Sequence, residues 1–503
     1  MDCQVLVVGA GPTGLVLALW LTRLGVRVRI IDKTSAPGTT SRALAVQART
    51  LELYRQLDLA DTIVSRGHKV PAVNLWAKGA QAARLPFKAI GEGLTPYSFL
   101  EIFPQDEHER LLISRLRQLG VTVERETELL NFSDERSQVV ARLKTPQGDE
   151  RCETRFIAGC DGARSLVRET LKTGFPGGTY RQLFYVADIK GSGPAFNGEL
   201  HVDLDEADFL AVFPLAGEGR ARLIGTVRDE RADRPDALRF EDVSARAIEH
   251  MNVKVETVNW FSTYHVHHRV TEHFRKGHAF LLGDAAHIHS PAGGQGMNTG
   301  IGDAINLAWK LAAVLAGRAP DRLLDSYEAE RMSFARRLVA TTDRAFTLVS
   351  AEGAFADLLR TRIAPFLLPK IVEFSFAREY LFRTVSQITL NYRDGPLSEG
   401  IAGDIRGGDR LPWVPFDADD NFSSLAAAMD WQLHVYGRAS DALGQWARNR
   451  NVLLQQFAWR EAFQKAGFMS DAAYLVRPDM YVAVAGATPD SLDVYFSRRG
   501  IRP

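Results

Sequence analysis

The first 32 residues contain the feature that most restricts how this 503-residue chain can fold. A short apolar run, Gln4 to Val8, is followed by three glycines in GxGxxG spacing and by a helical pattern from Pro12 to Leu24. A second strand pattern, Val26 to Ile31, ends at Asp32. In such a strand, glycine turn, helix and strand unit, the helix N-terminus receives a pyrophosphate. The segment therefore predicts a dinucleotide-binding α/β domain, with NAD and FAD both open.

The glycines of this first glycine loop (residues 9–14) are expected to have separate roles. Gly9 would make the tight turn, Gly11 would let a phosphate approach the backbone, and Gly14 would let the helix pack close to the strand. Asp32 would accept hydrogen bonds from the hydroxyl groups of an adenosine ribose.

A second glycine loop (residues 283–300) follows another strand pattern, His278 to Asp284, and leads into an apolar helix predicted from about Thr299 to Leu315. Ligands of open α/β sheets bind outside the carboxyl ends of the strands, so Asp284 is a candidate for holding a polyol. Its alternative role is a helix N-cap. Free N–H groups at a helix N-terminus carry partial positive charge, so the loop suits a flat ring that becomes negative, such as a reduced flavin.

Composition and charge narrow the possible partners. The chain has 61 basic and 61 acidic side chains without a long run of either sign, so neither nucleic acid nor an anionic membrane surface is an expected partner. Its three cysteines fit neither a disulfide framework nor a zinc site, which favours a reducing cytoplasm and predicts no bound metal. The apolar run from Leu15 to Leu21 is far shorter than the ~20 residues of a membrane span.

Three motifs, in this order, resemble those of a known family. They are "VVGAGPTGL", "GCDGARSLVR" and "LLGDAAHIHSPAGGQGMNTGIGDAINLAWKL". Together they resemble the class A FAD-dependent aromatic monooxygenases, the family of p-hydroxybenzoate, phenol and polyketide hydroxylases. The resemblance implies FAD as cofactor, NADPH or NADH as co-substrate, and a phenolic or polycyclic aromatic substrate. O2 would supply one oxygen atom through a flavin C4a-hydroperoxide.

The resemblance also implies which residues contact FAD. The family usually has glutamate where this chain has Asp32, and its DG and GD motifs correspond to Asp161–Gly162 and Gly283–Asp284. Pro291 would lie against the flavin ring and is also expected among the catalytic residues. The expected cofactor-binding residues are Gly9, Gly11, Pro12, Thr13, Gly14, Asp32, Lys33, Arg42, Gln105, Asp161, Gly162, Gly283, Asp284, Pro291, Gly294, Gly296, Met297 and Asn298.

The segment from about residue 174 to residue 275 alternates in short apolar stretches, which predicts an antiparallel sheet. In the family this sheet covers the flavin, and the substrate lies between the two. Candidate wall residues are Phe184, Tyr185, Phe209, Phe213 and Trp260.

A group that removes a phenol proton would raise the nucleophilicity of the substrate ring. The candidates are Tyr264, His265 and His267. Strand alternation puts the two histidines on one face and Tyr264 on the other, and it leaves the choice open. His287 and His289 are expected to order the second glycine loop rather than to act as acids or bases.

The expected fold is α/β, with a Rossmann-like FAD-binding domain, an inserted antiparallel-sheet substrate domain and a C-terminal thioredoxin-like domain. Its boundaries are 1–173 for the FAD-binding domain, including part of the substrate sheet near 70–100, and 174–275 for the substrate sheet. Residues 276–395 would continue the FAD-binding domain and add helices, and 396–503 would form the last domain. That domain lacks CxxC, which excludes thiol redox activity.

The expected assembly is a monomer or homodimer. Baeyer–Villiger oxidation or epoxidation on the same fold stays open, and a non-catalytic FAD-binding protein is less favoured.

Overall fold

The computed structural model describes residues 2–38, 43–77, 79–87, 91–204, 209–227, 238–243, 245–289, 294–350, 382–384, 386–417 and 419–503. These residues form a mixed α/β fold. Within these ranges every helix is too short or too polar to span a membrane. Nor does this part of the chain arrange three or more His, Cys, Asp or Glu side chains to hold a metal ion.

A five-stranded sheet, called here the parallel sheet, lies in the N-terminal part of the fold. Its strands, in sheet order, are Arg275–Lys276, Ala279–Leu281, Phe156–Gly159, Val5–Val8 and Val28–Ile31. The last four are parallel to one another, and the first is antiparallel to its neighbour. The strand Val5–Val8 is buried throughout, as expected where helices cover both faces of a parallel sheet.

The helix Pro12–Arg23 covers the parallel sheet, and every residue from Gly14 to Leu21 is buried. It packs against the helices Gln105–Gln118 and Gly296–Leu315. The helix begins at Pro12, as the sequence predicted. Proline is favoured at the first helical position because an N–H group there would have no helical partner. The helix of the second glycine loop was expected from about Thr299 but begins three residues earlier, at Gly296, because the Asn298 side chain anchors this first turn to a neighbouring segment.

An eight-stranded sheet lies beside this unit. Its strands, in sheet order, are His287–Ile288, Lys254–Val270, Gly177–Ser192, Arg220–Val227, Phe209–Pro214, Leu200–Leu204, Ala72–Ala77 and Ala80–Pro86. One face buries Leu223 and Tyr185 with Ile248 of the helix Ala245–His250. On the other face Phe209, Phe213 and Ile224 pack against the main core, which includes the parallel sheet. The second face is therefore the one turned toward the main core.

Smaller elements complete this half of the chain. Two three-stranded sheets have the orders Gly148–Thr154, Gln138–Thr145, Glu128–Glu135 and Ala45–Val46, Leu100–Ile102, His68–Val70. The other helices among the described residues of this half are Ala48–Tyr54, Ala60–Arg66, Leu166–Leu171 and Asp325–Ser350. Short 3-10 turns lie at Arg55–Leu57, Phe240–Asp242, Gly283–Ala285 and Asp321–Leu324.

The C-terminal part contains a four-stranded sheet in the order Leu453–Phe457, Gln432–Tyr436, Ala473–Val476, Val482–Ala485. The first two strands are parallel, and the other neighbouring pairs are antiparallel. Helix Asp441–Arg450 follows the strand Gln432–Tyr436, helix Glu461–Lys465 follows Leu453–Phe457, and helix Pro489–Arg499 follows Val482–Ala485. The strand pairs Ile401–Ala402 with Ile405–Arg406 and Pro415–Phe416 with Asp419–Asp420, and the helix Ser423–Ala427, precede them.

Candidate active site

Four motif segments meet at one edge of the parallel sheet because each follows the carboxyl end of a parallel strand. Backbone bonds join the segments: Gly9 N–H donates to Ile31 O at 2.9 Å, and Cys160 N–H donates to Val8 O at 2.8 Å. Leu282 N–H donates to Gly159 O at 3.0 Å. Residues far apart in sequence therefore line one edge, the place where α/β sheets bind ligands.

The first glycine loop has two positions closed to a side chain and one open position. Gly9 has φ +102°, and a Cβ there would lie 2.3 Å from Cys160 O. A Cβ on Gly14 would lie 2.0 Å from Gly9 O. By contrast, a Cβ on Gly11 would meet nothing within 4 Å, and Gly11 caps the helix Pro12–Arg23 without a side-chain hydrogen bond. Open space beside uncapped N–H groups fits a pyrophosphate.

Asp32 is held in place by the backbone around it. Its Oδ2 accepts from Ala10 N–H at 2.8 Å, and its Oδ1 accepts from the backbone N–H of Thr34 at 2.9 Å and from the Thr34 hydroxyl at 2.7 Å. Lys33 beside it is exposed. Arg42 lies outside the described residues.

Gln105 begins its helix next to a cluster that the sequence did not indicate. Its Nε2 donates to Glu109 Oε1 at 2.8 Å. Burial raises the pKa of the Glu109 carboxyl, which is close to both Asp32 and Arg125. The Arg125 guanidinium approaches Asp32 Oδ1 to 3.7 Å and donates to the Thr34 hydroxyl at 3.2 Å. The i, i+4 spacing of Gln105 and Glu109 is a signal that could have revealed the first contact, whereas nothing local points to Arg125.

The DG motif presents an unsatisfied carboxylate oxygen. Asp161 Oδ2 accepts from Val167 N–H at 3.2 Å, while Oδ1 is buried without a partner among the described residues. Burial raises the pKa of this carboxyl. Gly162 has φ +77°, and a Cβ there would meet nothing within 4 Å. A buried acceptor beside open space fits a hydroxyl group of a ligand.

Arg168, close to the DG motif, uses its guanidinium donors inside the protein. It donates to Ala163 O at 2.8 Å and to Ala285 O at 2.9 Å, and it lies 3.9 Å from the ring centre of Phe175. Arg168 therefore links the DG and GD motifs.

In the GD motif, Gly283 has φ +57°, and a Cβ there would lie 2.7 Å from the Thr13 hydroxyl. A Cβ on Gly300 would lie 2.3 Å from the same hydroxyl, so Thr13 fits between two glycines and sets the approach of two helices. Asp284 is exposed between buried neighbours. It is not an N-cap, since Leu282 has that position in the short turn Gly283–Ala285.

Asp303 is a supporting residue that sequence reasoning missed. Its Oδ2 accepts from Gly283 N–H at 3.0 Å and bonds His287 Nε2 at 2.6 Å, and its Oδ1 accepts from Arg331 Nε at 2.6 Å. Burial opposes ionisation, but Arg331 and His287 hold the pKa of Asp303 below its ordinary value. An aspartate on a strongly apolar helix is the signal that could have found it. His287, stacked on Phe274 at 5.8 Å, orders the loop, as its structural interpretation predicted.

The second glycine loop enters its helix through Gly294, which has φ +61°. Pro291 lies outside the described residues. The helix begins at Gly296, and Thr299 N–H donates to Gln295 O at 2.9 Å. The N–H groups of residues 296–298 precede that bond and belong to the first turn, where helical N–H groups have no helical partner.

The Asn298 side chain makes four hydrogen bonds to protein. Oδ1 accepts from Gln47 N–H at 2.9 Å and from the Thr50 hydroxyl at 2.8 Å. Nδ2 donates to Ala45 O at 2.9 Å and to Gly294 O at 3.0 Å. Its amide thus anchors the loop rather than facing a ring, and only its backbone is left for a ligand. Met297 beside it is half-buried.

On the eight-stranded sheet, the face toward the main core includes an aromatic row, Tyr264, Phe184 and Phe209. Phe184 is the cross-strand partner of Tyr264, with ring centres 5.9 Å apart, and it lies 6.4 Å from Phe209. These rings pack with Ile224, which contacts the main core.

The two candidate histidines lie on the opposite face of this sheet. His265 pairs with Leu183 and is exposed, and His267 Nδ1 bonds the Thr179 hydroxyl at 2.7 Å. Of the three base candidates, the structure therefore places Tyr264 alone on the face of the main core.

The proposed wall residues divide between the faces as well. Tyr185 lies on the far face, where its ring is 6.1 Å from Phe261, so it does not share a face with Phe184 and Phe209. Trp260 and Phe213 lie on the same face as the aromatic row. They flank the salt bridge between Arg222 and Asp188. In this pair Arg222 Nε donates to Asp188 Oδ1 at 2.6 Å, and Nη2 donates to Oδ2 at 2.8 Å.

Comparison with known proteins supports the same picture. Residues 2–342 match the model of the family described as "FAD binding domain". The 6-methylpretetramide 4-monooxygenase of Streptomyces rimosus is 37% identical over 414 residues, which cover 80% of this chain and 72% of that protein.

Solved structures resemble the whole chain. The OxyS anhydrotetracycline hydroxylase from Streptomyces rimosus has a TM-score of 0.79 and 28% identity, with 100% of each chain covered. The Diels-Alderase PyrE3 of the pyrroindomycin pathway has a TM-score of 0.79 and 29% identity, again with 100% of each chain covered. From the family match, these relatives and the motifs at the sheet edge, it follows that the chain belongs to the FAD-dependent aromatic monooxygenases.

Proposed function

We propose that this enzyme hydroxylates a phenolic, polycyclic aromatic substrate in the cleft between the glycine loops and the aromatic row of Tyr264, Phe184 and Phe209. The observation that carries the proposal is that this row lies on the sheet face that packs against the main core, which includes the strands whose carboxyl ends carry the FAD motifs. Relatives named for a pretetramide and an anhydrotetracycline support the polycyclic class.

The chain's own groups suggest how FAD is held. The pyrophosphate would lie at Gly11 and the N-terminus of helix Pro12–Arg23, where a side chain would find open space. The ribose would bond Asp32, close to Arg125. The unsatisfied Oδ1 of Asp161 and the exposed Asp284 would accept from further hydroxyl groups.

The ring end of FAD would lie near the N–H groups of residues 296–298, which offer a partial positive charge to a reduced flavin. When bound, FAD would supply the redox chemistry that links NAD(P)H oxidation to the transfer of one oxygen atom from O2 to the substrate. The Tyr264 hydroxyl would bond the substrate's phenolic oxygen and orient the ring carbon beside it. The sheet would exclude water from the cleft.

The finer domain organisation is part of this proposal. Residues 1–173 and 276–395 would form the FAD-binding domain, 174–275 with strands near 70–100 the inserted substrate domain, and 396–503 a thioredoxin-like domain. For the last, support comes from its strand order: a parallel pair joined by a helix, then two antiparallel strands and a final helix. The domain has no cysteine, so its role would be structural. A monomer or homodimer stays the predicted assembly.

The deciding experiment measures NADPH and NADH oxidation, O2 uptake and product mass across phenols and aromatic polyketides. A compound that speeds NAD(P)H oxidation and gains one oxygen atom, placed on a ring carbon by NMR, supports hydroxylation. Insertion beside a ketone or an epoxide would identify the Baeyer–Villiger or epoxidising alternative. Conversion without O2 uptake would contradict the proposal and favour a reaction of the kind for which PyrE3 is named.

A matched pair of variants tests the position of the substrate. Tyr264→Phe removes a hydroxyl on the face of the cleft, so we expect kcat/KM to fall about 10-fold while FAD binding is kept. Tyr185→Phe removes a hydroxyl on the opposite face and should leave turnover unchanged. Equal effects of the two variants would contradict the assigned face.

A further inference from the structure

The buried junction between the FAD half and the C-terminal sheet contains one more positive than negative side chain. Its cations are Arg49, Lys310, Arg331, Arg410 and Arg477, and its carboxylates are Glu52, Asp303, Glu330 and Asp479. Every one of these side chains is between 0% and 7% exposed. Five positive charges less four negative ones leave an excess of one. His287, which bonds Asp303, adds no negative charge in either protonation state.

Contacts connect one part of this set across the two halves. Arg477 donates to Glu330 Oε1 at 2.7 Å and to Asp479 Oδ2 at 2.6 Å, and Lys310 donates to Glu330 Oε2 at 2.8 Å. Glu330 and Lys310 belong to helices of the FAD half, whereas Arg477 and Asp479 follow a strand of the C-terminal sheet.

The other contacts use the remaining carboxylates. Arg410 Nε donates to Glu52 Oε2 at 2.8 Å, and Arg49 donates to Glu52 at 3.1 Å and to Asp479 O at 2.8 Å. Arg331 is paired with Asp303. Within the ranges that the structure describes, no fifth carboxylate lies within salt-bridge distance of the five cations.

An uncompensated charge in a protein interior is costly, so proteins neutralise it by releasing a proton or by pairing it. Four of the five cations are arginines, which keep their protons in proteins. Burial lowers the pKa of Lys310 to about 8, so this ammonium is still mostly protonated at pH 7. The excess positive charge therefore persists at neutral pH unless a counter-ion is present.

A cavity of about 20 Å3 lies next to the cluster. Its polar lining includes Arg49, Arg331, Gln387, Tyr392 and Tyr481. Arg49 is 3% exposed, and its Nε–H is buried without a partner among the described residues. The Asp479 carboxylate also reaches the lining, but its oxygens already accept from Arg477 and Trp309. The space suits one monatomic ion or one water molecule.

We propose that this cavity binds a monovalent anion of the size of chloride, held by Arg49 Nε–H and neighbouring hydroxyl and amide donors. The anion neutralises the cluster and so ties the helix that follows the second glycine loop, Gly296–Leu315, to the C-terminal sheet. It is an internal counter-ion, and it does not depend on which substrate the enzyme oxidises.

Crystals of the FAD-loaded enzyme grown with sodium bromide test the site directly. We expect an anomalous bromide peak within hydrogen-bond distance of Arg49 Nε. A well-ordered cavity with a water and no anomalous peak would overturn the proposal.

Solution measurements test it independently, with gluconate exchanged for chloride at constant ionic strength. Because chloride would bind the folded protein alone, Tm should rise by about 2 °C or more as chloride replaces gluconate. Gln387→Glu supplies a carboxylate at the cavity, so this variant should fold and lose the chloride response. Gln387→Met removes only one donor to the anion and adds no charge, so it should weaken the response without abolishing it.

Lys310→Met is a second route to the same result if Gln387→Glu does not fold, because it removes one cation and balances the cluster. Loss of the chloride response in either charge-balanced variant supports the site. An equal chloride response in the parent enzyme and in a folded charge-balanced variant would assign the effect to the protein surface and overturn the proposal.

Discussion

The two glycine loops reach the same edge of the parallel sheet but are held there by different forces. In the first loop, backbone atoms exclude a side chain at Gly9 and at Gly14, where a Cβ would lie 2.3 and 2.0 Å from carbonyl oxygens. In the second loop, Gly283 lies against the Thr13 side chain, and polar side chains, Asp303 and Asn298, hold the backbone. One loop is shaped by sterics within a short stretch, and the other by bonds to distant residues.

This difference determines what each loop tolerates. A steric loop fails when an atom is added, whereas a loop held by hydrogen bonds fails when a partner is removed. The first type leaves a spacing of glycines in the sequence, and the second leaves only single polar residues scattered over apolar helices.

Gly14→Ala should have the largest effect. Alanine normally favours a helix over glycine by about 1 kcal/mol. Overpacking in a core typically costs about 1–3 kcal/mol. Here the Cβ would lie 2.0 Å from the Gly9 carbonyl oxygen, and because no side-chain rotation can move a backbone atom, the cost should lie well above that range. We therefore expect poor folding and no FAD binding, measured by Tm and flavin fluorescence. A variant that folds and binds FAD normally would break the steric account of the first loop.

Asp303→Asn tests the polar account of the second loop. Asparagine keeps the shape but leaves the buried Arg331 without its carboxylate, and such a loss costs about 3–5 kcal/mol. Urea unfolding should show this loss, while Asp325→Asn, at a 71% exposed carboxylate that pairs with Arg275, should change stability by less than about 1 kcal/mol.

The same variant has a pH signature. The pKa of Asp303 in the folded protein is held below its ordinary value, which it has in the unfolded chain. The ion pair with Arg331 therefore stabilises the fold fully at pH values above the pKa of the unfolded chain. This stabilisation is lost as pH falls toward the pKa of Asp303 in the folded protein. The parent enzyme should therefore lose more stability between neutral and acidic pH than Asp303→Asn does. Parallel pH profiles for the two proteins would contradict the assignment.

The sequence predicted the features that depend on local spacing and missed those that depend on contacts between distant residues. The spacing of Gly9, Gly11 and Gly14 before Asp32 is local, so the strand, turn and helix were predicted nearly to the residue. Arg125 reaches Asp32 from a segment about 90 residues away, and no pattern near either residue records that contact. For the eight-stranded sheet, alternation separated Tyr264 from His265, but the face that meets the core depends on long-range pairing.

Glu101→Gln tests the small sheet to which the second glycine loop is anchored. Asn298 bonds Ala45 in the strand Ala45–Val46, and the neighbouring strand places Glu101 opposite Val46. Glu101 is fully buried, and neither carboxyl oxygen has a partner among the described residues. Burial raises the pKa of this carboxyl to about 8.

A raised carboxyl pKa means that the folded state keeps a proton that the unfolded state releases. Stability should therefore fall as pH rises between the ordinary glutamate pKa and about 8, by up to about 1.4 kcal/mol per pH unit. Glu101→Gln should remove that fall and gain stability relative to the parent at pH 8, measured by urea unfolding at pH 5 and pH 8. An identical pH response in both proteins would show that Glu101 is ionised in the fold.

Gly11→Ala should have the smallest effect on stability and the most selective effect on the cofactor. Its φ of −77° suits alanine, and the new methyl group meets no protein atom within 4 Å, so Tm should not fall. If the pyrophosphate occupies that space, the methyl group prevents its close approach to the N–H groups of helix Pro12–Arg23, and the Kd for FAD should rise about 10-fold, equal to about 1.4 kcal/mol. Gly444→Ala, at a helical glycine of the C-terminal unit, is the control for a glycine change alone. Unchanged FAD affinity in Gly11→Ala would mean that the phosphates do not bind at the open position of the first loop. The open space at Gly11, unlike the closed positions Gly9 and Gly14, would then have no role in binding the cofactor.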